Sequence, residues 1–277
     1  MTGYSKAMLR RLLIAACLLL SLSTCTQAAA PKRIVSLSPG TTEMLFALGL
    51  GKSVVGDTVY CDYPPAAKFV AKIGDVNTSY EKVLALRPDL IVADGTANAR
   101  AVARLSALHL PVLTVSPTSF AAVETSLRQI GARTGTFSQA NAVISQMEHK
   151  ARLVAKITAS DKRSRPRVLV VIQTGPLWTA GRGSFMDDLI SRAGGINIGG
   201  AVNGYGPFSK EQALASAPDV ILGDASVSAA FQTDPLLRRL PAVTQGRIYS
   251  LPADLTSRPG PRLADGLVLV AQALHGR

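Results

Sequence analysis

Two stretches of the chain, SYEKVLALRPDLIVADG at 79–95 and SKEQALASAPDVILGD at 209–224, repeat one pattern at an offset of 130 residues. Each starts with a Ser, has a Glu two residues later, and has a Pro seven residues after that Glu. A Ser can cap the start of a helix, and a Pro disfavours helical geometry at the residue before it. We therefore predict a short helix followed by a buried strand in both stretches.

The sequence around the two copies alternates short apolar runs with helical periodicity. Apolar runs, interrupted only by Thr114, lie at 90–93, 112–115, 168–172 and 220–222, which is typical of strands that are buried on both faces. Strands and helices in alternation predict parallel sheets covered by helices. The expected fold class is α/β, with two Rossmann-like lobes built on central, mainly parallel sheets.

The segment 138–160 breaks this alternation. It contains no Gly or Pro, and its apolar residues recur at helical spacing. We predict one long helix there, capped by Ser138 and spanning roughly 30 Å. Such a helix would join an N-terminal lobe at 31–137 to a C-terminal lobe at 161–277.

The first 30 residues are typical of a secretory signal peptide, because three basic residues precede the apolar run 12–22 and small residues follow at 28–30. Without them the formal charge falls from +12 to +9. No later run has the roughly 18 apolar residues of a spanning helix. A lipid anchor at Cys25 is the alternative to cleavage near residue 30, although Thr24 fits a lipoprotein signal poorly.

Several classes of function are disfavoured by the residues themselves. Export argues against nucleic acid as the partner of this basic chain, and no arginine stripe interleaved with aromatics appears. The chain has only three histidines, His109, His149 and His275, which are not expected to converge on a metal ion. No GxSxG motif is present, so an exported α/β hydrolase is only a remote alternative.

Glu81 and Glu211 occupy equivalent places in the two copies, and two interpretations of them are open. In the first, each carboxylate interacts with the macrodipole of its own helix, which contributes about 0.3–1 kcal/mol. In the second, the two glutamates are a pair of acidic contacts, one per lobe, held apart by a stiff helix. Such a pair would fit a twofold-symmetric partner that has a basic site on each half.

Five blocks resemble the periplasmic substrate-binding proteins of ABC importers whose lobes are joined by one helix, and the cobalamin (vitamin B12) binding proteins in particular. These blocks are SLSPGTTEMLFALGLG, VYCDYPPAA, LALRPDLIVA, PLWTAGRGSFMDDLISRAGGINIGG and the SKEQ copy. The resemblance covers 31–277. It implies a periplasmic monomer that does no chemistry and delivers its ligand to a homodimeric ABC permease with its ATPase. The docking contacts on permease arginines would be Glu81 and Glu211.

The resemblance also implies a ligand in the cleft between the lobes, at loops that follow strands. By their matching motifs, the implied contact residues are Tyr60, Trp178, Tyr205, Asp254 and Arg258. Three aromatic rings suit a flat macrocycle, and an arginine can pair with an acidic or amide edge. The expected ligand is cobalamin or a related corrinoid, with no resident cofactor or protein-bound metal and only modest lobe closure on binding.

Two departures from the cobalamin binders leave other ligands open. Where those proteins can carry tryptophans, this chain has 76–77 and Asp94. Haem or a ferric siderophore is the alternative. The relatives that take up haem can use a Tyr as iron ligand, so Tyr60 or Tyr205 could have that role for haem. Cys61 would be the lone cysteine after cleavage near residue 30. A thiolate can ligate a metal, but a free Cys is more often a small buried hydrophobe.

Overall fold

The N-terminal lobe contains four strands, seen in a computed structural model that describes residues 30–256 and 258–276. These are β1 (Ile34–Ser36), β2 (Val54–Gly56), β3 (Leu90–Asp94) and β4 (Val112–Val115). They form one parallel sheet in the order β2-β1-β3-β4. β3 is fully buried, whereas only Val115 of β4 is buried. The expectation that 112–115 is buried on both faces is wrong, because β4 is an edge strand.

Four helices accompany this sheet. They are α1 (Pro39–Ala47), α2 (Tyr80–Ala85), α3 (Ala99–Ala107) and α4 (Phe120–Thr134), with short 3-10 helices at Gly51–Ser53 and Pro65–Phe69. Serine side chains cap three of the four, since Ser38, Ser79 and Ser119 each accept a hydrogen bond from a backbone N–H of the first turn. Such caps satisfy donors that otherwise have no partner inside the helix.

One helix, α5 (Phe137–Ser160), connects the two lobes. Its 24 residues correspond to about 36 Å. Ser138 is not its cap, because the helix begins one residue earlier, after Thr136, whose side chain makes no capping hydrogen bond. α5 packs against α4 and against a late helix, α11 (Leu263–His275), so it is fixed to both lobes along its length.

The C-terminal lobe contains two sheets. The parallel sheet consists of β5 (Arg167–Val170), β8 (Ile196–Asn197), β10 (Val220–Gly223) and β11 (Ile248–Ser250), in the order β11-β10-β5-β8. A smaller antiparallel sheet consists of β6 (Gln173–Thr174), β7 (Leu177–Ala180) and β9 (Tyr205–Pro207), in the order β6-β7-β9. This second sheet was not predicted, because its strands are too short to show a period in the sequence.

Six helices follow or cover these sheets. They are α6 (Phe185–Arg192), α7 (Lys210–Ser216), α8 (Ala225–Thr233), α9 (Pro241–Thr244), α10 (Ala253–Thr256) and α11, with a 3-10 helix at Leu237–Arg239. Among the described residues, no helix is long and apolar enough to cross a membrane. The predicted signal peptide and Cys25 lie outside the described residues.

The repeated stretches form the same local structure in both lobes. Ser79 caps α2 and Ser209 caps α7, as predicted. The residue before each Pro, Arg87 or Ala217, has a positive φ of 44° or 41°, which ends the helix sharply before the strand.

The Asp after each Pro then binds the first strand of its own lobe. Asp89 accepts hydrogen bonds from the backbone N–H groups of Lys32 and Arg33, before β1. Asp219 accepts one from the N–H of Arg167 in β5. The Pro-Asp pair of each copy therefore ends the helix and ties the next strand to its neighbour. The predicted fold, two α/β lobes with mainly parallel sheets joined by one helix, is confirmed.

Candidate ligand-binding cleft

The carboxyl ends of the C-terminal parallel strands form one side of the candidate site. A cavity of about 360 Å³ lies there, next to the ends of β5, β10 and β11. Its lining is mainly apolar and includes Val170, Leu222 and Leu251, with Asp224 as its carboxylate. Such cavities at strand ends are the usual ligand sites of α/β folds.

Tyr205 is the predicted aromatic that lines this cavity. Its ring centroid lies 6.1 Å from that of Phe185, with the planes at 54°, a tilted arrangement that is favourable for aromatic pairs. Tyr205 is 45% exposed, so part of its ring is free to contact a ligand. Burial of the remainder raises the pKa of Tyr205 above its usual value, which keeps the phenol protonated.

Trp178 does not line this cavity. It lies in β7, directly opposite Pro207 of β9 in the antiparallel sheet. Its neighbours Leu177 and Thr179 are buried, while Trp178 itself is 37% exposed, because successive side chains of a strand point to opposite faces. The strand register places Trp178 on the same face of the small sheet as Tyr205, although only Tyr205 lines the cavity.

Tyr60 lies on the other lobe, in the loop between β2 and the 3-10 helix Pro65–Phe69, and is 52% exposed. The loop is held by Lys72, whose ammonium group is 2.6 Å from Oδ1 of Asp57. The same group donates hydrogen bonds to the carbonyls of Cys61 and Ala67, at 3.1 and 2.9 Å. One lysine thus fixes both sides of the loop that presents Tyr60.

Asp57 is fully buried, and its Oδ2 has no hydrogen-bond partner among the described residues. Burial raises the pKa of Asp57 to about 6, against the opposing effect of Lys72. This direction follows because a buried charge with one unsatisfied oxygen is unfavourable.

Cys61 is also buried, at 2% exposure, and its Sγ lies 3.2 Å from both Thr42 Oγ1 and Thr58 Oγ1. Burial raises the pKa of its thiol, so Cys61 is a neutral thiol. This argues against a thiolate ligand at Cys61 and favours the alternative of a small buried side chain.

Asp254 and Arg258 lie together at the edge of the cavity. Arg258 Nη2 is 3.3 Å from Oδ1 of Asp254, the second residue of α10, and Ala253 and Thr256 of the same helix line the cavity. Arg258 also forms an ion pair with Asp62, next to the Tyr60 loop of the N-terminal lobe. This ion pair lowers the pKa of Asp62 and raises that of Arg258. The structure thus joins the two predicted residues to the opposite lobe.

A second arginine, Arg262, makes a similar contact that sequence reasoning missed. Its Nε and Nη2 donate to the two carboxylate oxygens of Glu43, at 2.9 and 2.6 Å, and this hydrogen bonding raises the pKa of Arg262. Its guanidinium also lies 3.7 Å from the ring centroid of Tyr63. One signal for Glu43 was available, since it is the single charged residue between Arg33 and Lys52.

Glu81 and Glu211 are both exposed and lie in the first turns of α2 and α7. Neither makes a salt bridge with any residue in the described part of the chain. Hydrogen bonds from its own backbone N–H and from Ser209 lower the pKa of Glu211. Each helix turns back into its strand through a short link, so each Glu lies toward the carboxyl ends of its sheet.

The structure brings Tyr205, Asp254 and Arg258 close to one cavity, with the Tyr60 loop joined to them through Asp62. Trp178 stands apart from the cavity lining. Within 30–256 and 258–276, no group of three or more His, Cys, Asp and Glu side chains is placed to hold a metal ion.

Comparisons with known proteins agree with this architecture. The chain is 32% identical to an uncharacterised ABC transporter substrate-binding lipoprotein of Bacillus subtilis, over 88% of this chain and 80% of that protein. It is 29% identical to the vitamin B12-binding protein of Pectobacterium carotovorum, over 89% and 90% of the two chains. The solved periplasmic haem-binding protein RhuT of Roseiflexus sp. RS-1 is also 29% identical, with a TM-score of 0.79 over 88% of this chain and 98% of that one.

The family model for periplasmic binding proteins matches residues 34–255, which include both repeats, the linking helix and both sheets of the C-terminal lobe. This family consists of transport substrate-binding proteins and not of enzymes. By this match, the chain is a member of the periplasmic binding protein family and the substrate-binding component of an ABC importer.

Proposed function

We propose that the protein captures cobalamin, or a related corrinoid, between its lobes in the periplasm and delivers it to an ABC permease. The observation that carries this choice of ligand is the charge balance at the contact between the lobes, next to α10, whose residues Ala253 and Thr256 line the cavity. Three carboxylates, Glu43, Asp62 and Asp254, surround two arginines, Arg258 and Arg262. The formal charge of this cluster is −1, although the whole chain is basic.

This charge balance favours a ligand without carboxylates. Haem carries two propionates, which need cations that are not already paired. Arg258 and Arg262 are both paired with carboxylates, so a propionate would have to displace Asp62 or Glu43. Cobalamin has a periphery of neutral amides, and amide N–H groups can donate to Asp62 and Asp254 without displacing either arginine.

The apolar cavity supports the same choice. Tyr205 and Phe185 offer ring surface to a flat macrocycle, and the apolar lining at the strand ends excludes water from it.

Haem is the second candidate. The haem-binding RhuT is as similar in sequence as the vitamin B12-binding relative. Tyr60 is half exposed and outside the cavity wall, so its phenol is open to a metal from the side of the N-terminal lobe. A ferric siderophore such as ferrichrome already surrounds its iron with six oxygens, so it would need no tyrosine ligand.

Calorimetric titration of the purified protein with cyanocobalamin, haemin and ferrichrome tests the proposal. We expect cyanocobalamin to bind with the lowest Kd and to raise the melting temperature. If haemin binds and gives a tyrosinate absorption band, while cyanocobalamin gives no binding heat, the ligand is haem and the proposal is wrong.

For delivery, we propose that Glu81 and Glu211 contact one basic site on each half of the permease. Their exposure and their lack of salt-bridge partners in the described structure leave both carboxylates available for an intermolecular ion pair. The same position in two equivalent lobes suits a partner with twofold symmetry.

A further inference from the structure

The segment Arg258-Pro259-Gly260-Pro261-Arg262, here called the RPGPR segment, leads into α11 of the C-terminal lobe but lies against α1 of the N-terminal lobe. A Cβ added to Gly40 of α1 would be 2.6 Å from the carbonyl oxygen of Pro259. One added to Gly260 would be 3.3 Å from Oε2 of Glu43. Backbone and side chains of the two lobes are therefore in direct contact here.

Glu43 is the buried acid at the centre of this contact. Its side chain is 2% exposed, and Arg262 satisfies both of its carboxylate oxygens. Bidentate pairing fixes the relative orientation of the two planar groups as well as their distance. A buried ion pair is weak evidence for net stability, because desolvation opposes the attraction. The pair does fix geometry between the lobes, because Glu43 belongs to the N-terminal lobe and Arg262 to the C-terminal lobe.

The same contact holds two residues of the Tyr60 loop, Asp62 and Tyr63. The guanidinium of Arg262 stacks on the ring of Tyr63, 3.7 Å from its centroid. Asp62, which precedes Tyr63 in the chain, forms an ion pair with Arg258. Displacement of Arg262 would therefore release Tyr63 and change the approach of Arg258 to Asp62. These interactions link the Tyr60 loop to α10 and to the edge of the cavity.

We propose that Glu43 and Arg262 are positioning residues, which set the spacing of the two lobes and hold Tyr63 and Arg258 at the edge of the ligand site. Neither needs to touch the ligand. The effect on lobe spacing is independent of what the ligand is, whereas the effect on affinity rests on the proposed function.

The lobe spacing can be measured without ligand by electron–electron double resonance between spin labels on two exposed helix positions, Ser106→Cys on α3 and Ala229→Cys on α8. The native Cys61 is buried and should stay unlabelled. We expect one narrow distance distribution in the otherwise unchanged protein. Glu43→Gln, which removes the charge and keeps the shape, should broaden or shift it.

Arg262→Lys is the second variant, because it keeps a positive charge beside Glu43 and is expected to fold even where Glu43→Gln does not. A lysine lacks the bidentate fork, so the distribution should broaden here too. Asp234→Asn is the matched control, since it removes an ion pair with Lys210 that lies wholly inside the C-terminal lobe. It should leave the distance unchanged.

The same variants are then titrated with cyanocobalamin. We expect Kd to rise about tenfold in Glu43→Gln and Arg262→Lys and to stay constant in Asp234→Asn. Wild-type distances in both variants would overturn the inference, and so would a loss of melting temperature with unchanged distances. If the wild-type protein does not bind cyanocobalamin, the proposed ligand fails, while the distance measurement still decides whether this pair sets the spacing.

Discussion

The N-terminal and C-terminal lobes use the same helix-to-strand unit but present different surfaces at their strand ends. In both, a Ser caps the helix, a residue with positive φ precedes a Pro, and the next Asp binds the first strand of the lobe. Only the units themselves are repeated. The N-terminal lobe adds the Tyr60 loop, fixed by Lys72, and the C-terminal lobe adds the antiparallel sheet and the cavity.

We interpret the repeated units as the docking surface for the permease and the unrepeated segments as the ligand site. The repeated units stabilise each lobe and expose one glutamate each, which suits a symmetric partner. The unrepeated segments carry the candidate ligand contacts, which suits an asymmetric small molecule. Variants in the repeated units should change transport, and variants in the unrepeated segments should change ligand affinity.

The largest effect is expected for the double variant Glu81→Ala with Glu211→Ala. Loss of both ion pairs with the permease should lower transport on the order of a hundredfold, while ligand affinity stays within error. Uptake of labelled cyanocobalamin by reconstituted permease, and calorimetry of the free protein, measure the two quantities. Glu148→Ala on α5 is the control. A double variant that loses ligand affinity would contradict the assignment, and unequal single variants would show that the lobes dock differently.

The next largest effect concerns the two aromatics of the C-terminal lobe. Tyr205→Ala removes a cavity-lining ring and should raise the ligand Kd about 30-fold, as for a well-packed contact residue. Trp178→Ala should raise it less, because Trp178 lies outside the cavity wall. Equal effects measured by calorimetry would show that the ligand extends over the exposed face of the antiparallel sheet.

The Tyr60 loop of the N-terminal lobe should give the protein a pH-dependent stability. Burial raises the pKa of Asp57 from 3.8 to about 6. An acid with a raised folded-state pKa stabilises the fold below its unfolded pKa, and this stability is lost as the pH rises through the folded pKa. Between about pH 4 and 7, the free energy of unfolding should fall by on the order of 2 kcal/mol more in the wild type than in Asp57→Asn. Denaturant titrations with parallel pH profiles for the two proteins would refute this.

The smallest effect distinguishes the two repeated units. Asp89 accepts two backbone hydrogen bonds and Asp219 accepts one. We expect Asp89→Ala to cost about 2 kcal/mol of unfolding free energy and Asp219→Ala about 1 kcal/mol. Urea unfolding measures both, and Asp75→Ala, which removes one local hydrogen bond from the N–H of Asn77 in an exposed turn, serves as comparison. A larger loss at Asp219 would mean that other contacts dominate the shared unit.

Much of the fold could be predicted because its signals are local. The signals are Ser caps, Pro-Asp pairs and uninterrupted helical spacing, each of which acts over a few residues. The two repeated units and the long helix could therefore be predicted from the sequence. The exposed edge strand β4 was not, because strand order depends on contacts between distant segments. The same applies to the antiparallel sheet, whose strands of two to four residues have no recognisable period.

The candidate site was predictable only where a motif names a residue. Tyr205, Asp254 and Arg258 were proposed from their motifs and lie close to the cavity. Glu43, Asp62, Tyr63 and Arg262 were missed, because their partners are far away in sequence and no local pattern links them. For Glu43, its isolation among uncharged residues was the available sign, since a buried charge needs a partner.

The sequence by itself determined the two-lobe α/β plan, its repeated units and the family to which the chain belongs, because short-range capping and apolar periodicity are encoded residue by residue. Only the tertiary structure decided that the two arginines of the RPGPR segment pair with carboxylates of the opposite lobe, that Cys61 is buried, and that Tyr205 but not Trp178 lines the cavity. Those outcomes depend on which side chains meet across the lobe junction, and that is set by packing of segments some 200 residues apart.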